Sequence, residues 1–547
     1  MENELPPIKS GTTYTAALQK LFRTIRLDRK DVLAVYFFAI FSGLVFLSLP
    51  LGIQSIVGFV MAGSVSTSII VLIVLVLLGV IVNGVLQVRQ MEHIEKIEQK
   101  IYVRYAFEFS HKLMTLDLGK ARKYHLPELV NRFLEVSALQ KSLQKLLIDL
   151  PAALVQILFG TLLLSFYHPL FLGFGLIMFI IVLLILRFTA AQGLASAVDT
   201  SDAKYALTSW FEDLSSSILD FKAETYDDWH MHQTDYLVGQ YLKHRTRHFV
   251  VLKFQYWSLI VFKISIIAIM LILGVFLLVD QQINIGQFIA ADLVIIAIIN
   301  SVEKFIGNFD KVYNALVALE KLEKLVALPE AHPGSFQRQF ADLPPAISLQ
   351  PFDNAEGSWE LEAGAWSCWI TPTGYLSQKM PLITGLIDPI EGHARIDGLP
   401  STSFVPAQLR KNTGWMGKTS GLFEGSILEN ITMGNEPSEP AQLMQLAHLT
   451  GLMKAIQKFK NGFDTQLGPR GYKADAPLKN AILLTRALLG NKGLILLEDP
   501  FHHLTDEEVL RLLNYLKQKE LTLVVSAPEL DNRVKQMFDQ VITLNNG

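Results

Sequence analysis

The chain of 547 residues is 50% hydrophobic and only 18% charged, with a mean hydropathy of +0.33. Soluble globular proteins carry about a quarter charged residues, so this composition excludes a purely soluble enzyme and a disordered chain. The net charge of −3 gives no reason to expect nucleic acid as a partner. The single cysteine, Cys368, excludes an internal disulfide and a cysteine-based metal site, and its apolar surroundings predict a small core residue.

Six apolar segments in the first 310 residues are long enough to cross a bilayer, which takes about 20 apolar residues. They are Val32–Ile53, Thr67–Val88, Leu150–Tyr167, Leu170–Leu186, Tyr256–Val279 and Ile285–Ile306. The connections Gln54–Ser66, His168–Pro169 and Asp280–Asn284 contain no Lys or Arg, whereas residues 20–30 and 89–149 are rich in both. The positive-inside rule therefore predicts an integral protein of the plasma or inner membrane, surrounded by lipid, with both termini in the cytoplasm.

The two long connections after spans two and four are predicted to be helical. Apolar positions in Ile94–Leu118 and Tyr205–Tyr241 recur at helical spacing. The membrane helices are therefore expected to continue into the cytoplasm. The basic cluster Lys243, Arg245 and Arg247 is predicted to border the inner leaflet, where anionic lipid attracts it.

Two charged residues near the cytoplasmic ends of spans five and six admit two interpretations. Lys263 and Glu303 lie about 24 Å and 27 Å from the outer ends of their helices, at about 1.5 Å per residue. They either form an ion pair between neighbouring helices or remain separate, with Lys263 extended toward the membrane surface and Glu303 in cytoplasmic water.

The region after the spans changes character at residues 328–346, which are dense in Pro, Gly and polar residues and predict a domain boundary. Short apolar runs then alternate with helical stretches, as at Ile347–Leu349, Leu494–Leu497 and Leu521–Val525. Runs of this kind are typical of buried parallel strands in an α/β sheet.

The order of these parts, and several passages within them, resemble a half-size ABC exporter. The passages are GQFIAADL from Gly286, FKAETY at Phe221–Tyr226, GLIDPIEGHARIDG at Gly385–Gly398, LFEGSILENITMGN at Leu422–Asn435 and TRALLGNKGLILLEDP at Thr485–Pro500. The resemblance implies an all-α six-helix transmembrane domain with long cytoplasmic helical extensions, followed by an α/β ABC-type nucleotide-binding domain. It implies coupling helices near Lys120–Arg132 and Ser209–Asp220.

The corresponding domain prediction has four parts. Residues 1–31 form a cytoplasmic N-terminal segment, 32–327 the exporter transmembrane domain, 328–344 a linker, and 345–547 a degenerate nucleotide-binding domain. The family associates ATP and Mg²⁺ with such a domain, but the residues expected to bind them are largely replaced, so no cofactor and no metal site are expected.

The phosphate loop is the first departure. The family uses glycines, a lysine for the β- and γ-phosphates and a hydroxyl for Mg²⁺. The matching stretch runs from Thr371 to Gln378 and keeps one glycine, Gly374; Ser377 stands at the lysine position and Gln378 at the hydroxyl position. Lys379 lies two residues after the lysine position, which on a helix places its side chain about 200° around the axis from that position.

The other motif positions are also changed. The acidic pair is reversed, with Glu498 at the Mg²⁺ position and Asp499 at the position of the catalytic Glu. Lys418 replaces the metal-contacting Gln, and Ala527 replaces the switch His. Thr505 replaces the Asp that follows the acidic pair, and the signature sequence reads Ala474–Leu478, with Asp475 adding a negative charge.

These departures predict that the chain contributes no normal ATPase site, whether it pairs with itself or with a second ABC half-transporter. The predicted function is a dimeric subunit of an exporter-like transport or secretion complex, with a periplasmic adaptor as one conceivable partner. A non-transporting scaffold or regulator is the alternative, and an active ATP-driven exporter is the second alternative.

Overall fold

A computed structural model of the protein describes residues 14–61, 67–121, 123–224, 228–331, 334–336, 344–352, 357–372, 374–387, 393–435 and 439–544. The chain forms two compact units, one of Met1–Met114 with Tyr124–Ala327 and one of Thr115–Lys123 with Leu328–Gly547. Residues 332–333 and 337–343 of the predicted linker lie outside the described residues, as do residues 1–13 of the predicted N-terminal segment.

The first unit is entirely helical in its described residues. The helices of this half of the chain are α1 Tyr14–Leu27, α2 Arg29–Phe46, α3 Ser48–Met61, α4 Thr67–Thr115, α5 Leu118–Ala121, α6 Leu126–Asn131, α7 Glu135–Tyr167, α8 Leu170–Ser216, α9 Ile218–Glu224, α10 Trp229–Val279, α11 Ile285–Gly307 and α12 Phe309–Val326, with a 3₁₀ turn at Arg132–Leu134. Of these helices, the short α5 belongs to the second unit.

Six helical stretches among the described residues are long and apolar enough to cross a membrane. The 18-residue apolar window of α4 has none of its residues buried inside the chain, whereas half of the window in the stretch Ile285–Val326 is buried. Exposed apolar side chains on α4 are expected where lipid or another subunit covers the helix. The helices α4, α8 and α10 continue far beyond a single bilayer thickness, as the helical spacing predicts.

A buried polar network joins three of these helices. His248 on α10 is bonded through Nδ1 to Ser196 Oγ on α8 at 3.0 Å and through Nε2 to Asp310 Oδ1 on α12 at 3.4 Å. Gln255, also on α10, donates to the Thr189 hydroxyl at 2.8 Å. Because buried polar groups are costly unless bonded, the network fixes the relative register of the three helices.

The charged residues Lys263 on α10 and Glu303 on α11 form an ion pair. Lys263 Nζ lies 3.4 Å from Glu303 Oε2, and the two side chains are 45% and 52% exposed. The structure therefore favours the ion-pair interpretation over that of two separate charges.

The second unit is an α/β domain built on two sheets. Its strands are β1 Ile347–Phe352, β2 Gly357–Leu361, β3 Trp366–Ile370, β4 His393–Ile396, β5 Leu399–Pro400, β6 Thr413–Met416, β7 Leu494–Glu498, β8 Thr522–Ala527 and β9 Gln540–Thr543. Its helices besides α5 are α13 Tyr375–Ile383, α14 Pro406–Asn412, α15 Ile427–Thr432, α16 Pro440–Leu449, α17 Leu452–Ile456, α18 Ala476–Leu488, α19 Asp506–Lys517 and α20 Asn532–Lys535, with 3₁₀ turns at Ser401–Ser403, Gly462–Asp464 and Pro469–Gly471.

The larger sheet is parallel, with strand order β6-β7-β8-β3-β9, and the smaller one is antiparallel, with order β2-β1-β4-β5. Strands β7 and β8 are buried along their whole length, which explains the apolar runs Leu494–Leu497 and Leu523–Val525 within them. Trp366 and Cys368 on β3 belong to the main core. The predicted fold class, a six-helix membrane domain followed by an α/β domain, is confirmed.

Candidate functional site

The candidate site lies at the carboxyl ends of β3, β7 and β8. The chain leaves β3 at Ile370 and enters α13 through Gly374, whose φ of 112° is left-handed and accessible mainly to glycine. The first turn of a helix presents free N–H groups and a partial positive charge, so this position can bind an anion.

A carboxylate of the chain itself occupies that position. Glu498 is the last residue of β7 and is 3% exposed. Its side chain accepts the N–H of Gly374 at 2.5 Å, the N–H of Lys418 at 3.0 Å and the hydroxyl of Ser377. The donors that would face a phosphate are therefore already bound to a carboxylate.

The side chains of two further predicted residues form no hydrogen bond or ion pair with this carboxylate. Lys418 follows β6, and its side chain lies over Gly374, with Cδ at 3.7 Å and Nζ at 4.0 Å from the position that a Cβ on Gly374 would take. Gln378 is exposed and forms no hydrogen bond within the described residues. The ammonium of Lys379 lies 5.6 Å from the ring centroid of Tyr375.

The strand ends behind the loop hold the remaining predicted residues. The N–H of Thr371 donates to the carbonyl of Ala527 at 3.1 Å, and the N–H of Asp499 donates to the carbonyl of Ser526 at 2.7 Å. Asp499 has a φ of 45°, a left-handed conformation that Asp tolerates better than most residues. The hydroxyls of Thr371 and Ser526 are buried, and neither has a hydrogen-bond partner in the described part of the chain.

The signature region forms a second helix N-terminus that is also capped from within. Asp475 precedes α18 and accepts the N–H of Leu478 at 3.0 Å, and it forms an ion pair with Lys458 at 2.5 Å. The hydrogen bond from Lys458, followed by that from Leu478, lowers the pKa of the Asp475 carboxyl. Thr505 likewise caps α19, by accepting the N–H of Glu508.

The structure thus brings Gly374, Ser377, Lys418 and Glu498 into one contact group and joins Thr371 to Ala527, while Gln378 stays apart. Thr373 of the phosphate loop lies outside the described residues. Trp359 on β2 is buried against Trp369, with ring centroids 4.9 Å apart. Among the described residues no group of three His, Cys, Asp or Glu side chains is placed to hold a metal ion.

Sequence reasoning missed the roles of Glu498 and Asp475 as internal acceptors. A signal was present for Asp475, because Asp followed by Ala-Pro is a typical helix start, with Asp as the cap and Pro in the first turn. For Glu498 no local signal exists, since the donors come from residues more than 75 positions away along the chain.

The membrane part of the chain matches a known family. Residues 32–215 match the ABC transporter transmembrane region. The chain is 30% identical over 171 residues to the uncharacterized ABC transporter ATP-binding protein YfiB of Bacillus subtilis, covering 31% of this chain and 30% of that protein. It is 23% identical over 284 residues to the beta-(1→2)glucan export ATP-binding/permease protein NdvA of Bartonella bacilliformis, covering 48% and 46% of the two proteins. The chain thus spans less than half the length of these curated relatives.

A solved structure shares the fold along nearly the whole chain. A bacterial Atm1-family ABC exporter with ATP bound superposes with a TM-score of 0.78 at 15% identity, covering 94% of this chain and 93% of that one. At this identity the likeness shows the fold alone.

Proposed function

We propose that this chain, which matches the ABC transporter transmembrane region over residues 32–215 and has the fold of an ABC exporter, is a dimeric subunit of an exporter-like membrane transport complex whose own ATP site does not function. The membrane unit would carry the transport role, and the α/β unit would serve in assembly and in coupling to a partner. The observation that supports this proposal most strongly is the position of Glu498, whose carboxylate accepts the N–H of Gly374 at the start of α13.

The first part of the argument is charge. A phosphate bound at the start of α13 would meet the buried carboxylate of Glu498, which already accepts three hydrogen bonds there. Displacing it would leave two like charges close together in a site with little water, which is strongly unfavourable. Mg-ATP does not fit this arrangement.

The second part concerns the groups that would offset the charge of a triphosphate. A hydroxyl, on Ser377, replaces the loop ammonium that normally contacts the outer phosphates. Lys418 brings an ammonium to the position where the family places a Mg²⁺ ligand, and a cation there opposes the metal. No other residue of the contact group of Gly374, Ser377, Lys418 and Glu498 compensates for either change.

The third part concerns the other half of a site. In a paired ABC exporter the signature helix of one chain faces the phosphates bound by the other, through its free N–H groups. Here Asp475 already accepts one of those N–H groups and places a carboxylate at the helix start. We infer that even a partner with an intact phosphate loop would meet a poor signature on this chain.

The proposal includes a membrane orientation and partners. Both termini and the α/β unit would lie in the cytoplasm, in keeping with the distribution of Lys and Arg between the connections. The dimer partner would be a second copy or another ABC half-transporter, and a periplasmic adaptor is a further candidate. An active exporter, by contrast, would need a phosphate loop free of Glu498.

ATP hydrolysis by the full-length protein in lipid nanodiscs tests the proposal. We expect phosphate release to be equal in the wild type and in a Glu498→Gln, Asp499→Asn double variant, which keeps both shapes and removes both charges. Hydrolysis that requires Mg²⁺ and is lost in the double variant would overturn the proposal.

A further inference from the structure

A cavity of about 660 Å³, with several charged residues in its lining, lies within the first unit between the extensions of α7, α8, α10 and α12. Each helix contributes residues at helical spacing, so that a single face of each one lines the cavity. The fully charged side chains in the lining are Glu135, Lys141, Lys145, Lys204, Arg245 and Lys311. Five cations therefore face the cavity together with one carboxylate, and we call it the four-helix cavity.

Part of this charge is compensated within the chain. Lys204 Nζ lies 2.5 Å from Glu135 Oε1, and Lys311 Nζ lies 3.2 Å from Asp310 Oδ2. Lys141, Lys145 and Arg245 form no ion pair and no hydrogen bond within the described residues. Three positive charges that share one cavity repel each other, and a multivalent anion would relieve that repulsion.

The wall of the cavity also has an unused polar group. The hydroxyl of Ser201 is buried, lines the cavity and has no hydrogen-bond partner in the part of the chain that the structure describes. His248 forms another part of the wall and is held by Ser196 and Asp310. A buried hydroxyl without a partner is costly, and an oxygen atom of a bound ligand would satisfy it.

We propose that the four-helix cavity is a binding site for a small polyanion that carries phosphate groups. Lys141 and Lys145, one helical turn apart, face Arg245 of another helix, and ammonium and guanidinium groups form strong charge-assisted bonds to phosphate oxygens. The source of the phosphate is either a soluble metabolite or a lipid headgroup. The site does not rest on the proposed function, because binding there requires neither hydrolysis nor transport.

Calorimetric titration of the full-length protein in phosphatidylcholine nanodiscs, with inorganic pyrophosphate as the probe, tests the site. We expect saturable binding that becomes at least tenfold weaker in the Lys141→Gln, Lys145→Gln, Arg245→Gln variant. The matched control is Lys96→Gln, Lys243→Gln, Lys253→Gln, which removes the same charge from positions that are exposed like those of the cavity variant but lie outside the cavity, and it should change the affinity by less than about twofold.

The outcomes that overturn the proposal are distinct. They are an absence of saturable binding in the wild type, equal affinity in the wild type and the cavity variant, or an equal loss in the control. Pyrophosphate bound in the second unit would be unaffected by the cavity variant and would therefore count against the proposal. Ser201→Ala, a single small change that removes no charge, should weaken binding about two- to fivefold.

A change of lipid separates the two sources of phosphate. If the ligand is a lipid headgroup, nanodiscs with equal parts of phosphatidylcholine and phosphatidylglycerol should weaken pyrophosphate binding to the wild type by competition. If the ligand is soluble, the affinity should be the same in both lipids at matched ionic strength.

Discussion

The carboxylate of Glu498 accepts the backbone N–H of Gly374 at 2.5 Å, across 124 positions of sequence. The bond ties the end of β7 to the start of α13, the place where the fold offers a phosphate its N–H groups. The same carboxylate also holds Ser377 and Lys418. The carboxylate that the sequence places at the predicted Mg²⁺ position therefore binds three donors of the chain itself.

Replacing Glu498 with Ala should destabilise the protein by about 1–3 kcal/mol, because three donors lose their acceptor in a buried site. The change would appear as a lower unfolding midpoint of the full-length protein. The neighbouring Asp499→Asn variant is the control, since Asn also tolerates the left-handed backbone, and it should stay within about 0.5 kcal/mol of the wild type. An equal loss in both variants would show that Glu498 has no special structural role.

The ion pair of Lys263 and Glu303 should show coupling in a double-mutant cycle. Lys263→Glu and Glu303→Lys should each lower stability through like-charge contact, and the exchanged pair should recover most of the loss. Because both side chains are about half exposed, the coupling is expected to be about 0.5–1 kcal/mol. Thermal unfolding in nanodiscs measures it, and additivity of the two single changes would contradict the pairing.

Lys492 should give the α/β unit a pH-dependent stability. Burial, and secondarily the charge of Arg486, lowers the pKa of Lys492 from 10.5 to about 8. Between about pH 8 and 10.5 the unfolded chain then binds more protons than the folded chain, so stability should rise as the pH increases.

Lys492→Met should remove this rise and raise stability at pH 7 by about 1–2 kcal/mol, allowing for partial exposure of the side chain. Unfolding midpoints measured from pH 7 to 10 test both effects, and Lys460→Met, a change at an exposed lysine, is the control. A wild-type midpoint that falls steadily across this range, with the same slope in both variants, would exclude the effect.

Cys368 should be unreactive in the folded protein. Its thiol is fully buried on β3, and burial raises its pKa to about 11. Maleimide at pH 7.5 should label the native chain slowly and the denatured chain completely. Labelling of the native chain within minutes would contradict the packing of β3.

The sequence predicted the spans, the α/β domain and the strands correctly because these follow from local patterns of apolar residues. Residue pairs were harder to predict. Lys263 and Glu303 could be placed at similar depth by counting helical rise, but their contact depends on helix rotation, which a single helix does not define. The four-helix cavity could not be predicted from the sequence for the same reason, since its cations come from separate helices. From the sequence, Arg245 was predicted only to border the membrane surface.

The site illustrates the same limit. The sequence located the altered motif positions but treated each one as a loss. Only the sheet order, with β7 beside β8 and β8 beside β3, brings Glu498 to Gly374. Asp475 was interpreted as a negative charge facing a phosphate, whereas in the structure it is first a helix cap.

Equilibrium binding of Mg-ATP to the full-length protein in nanodiscs tests the central claim most directly. We predict no saturable binding in the micromolar range, with Glu498 retained in the loop. Saturable micromolar binding that requires Mg²⁺ and is lost when Glu498 is changed to Gln would contradict it, because that carboxylate would then be serving the nucleotide rather than replacing it.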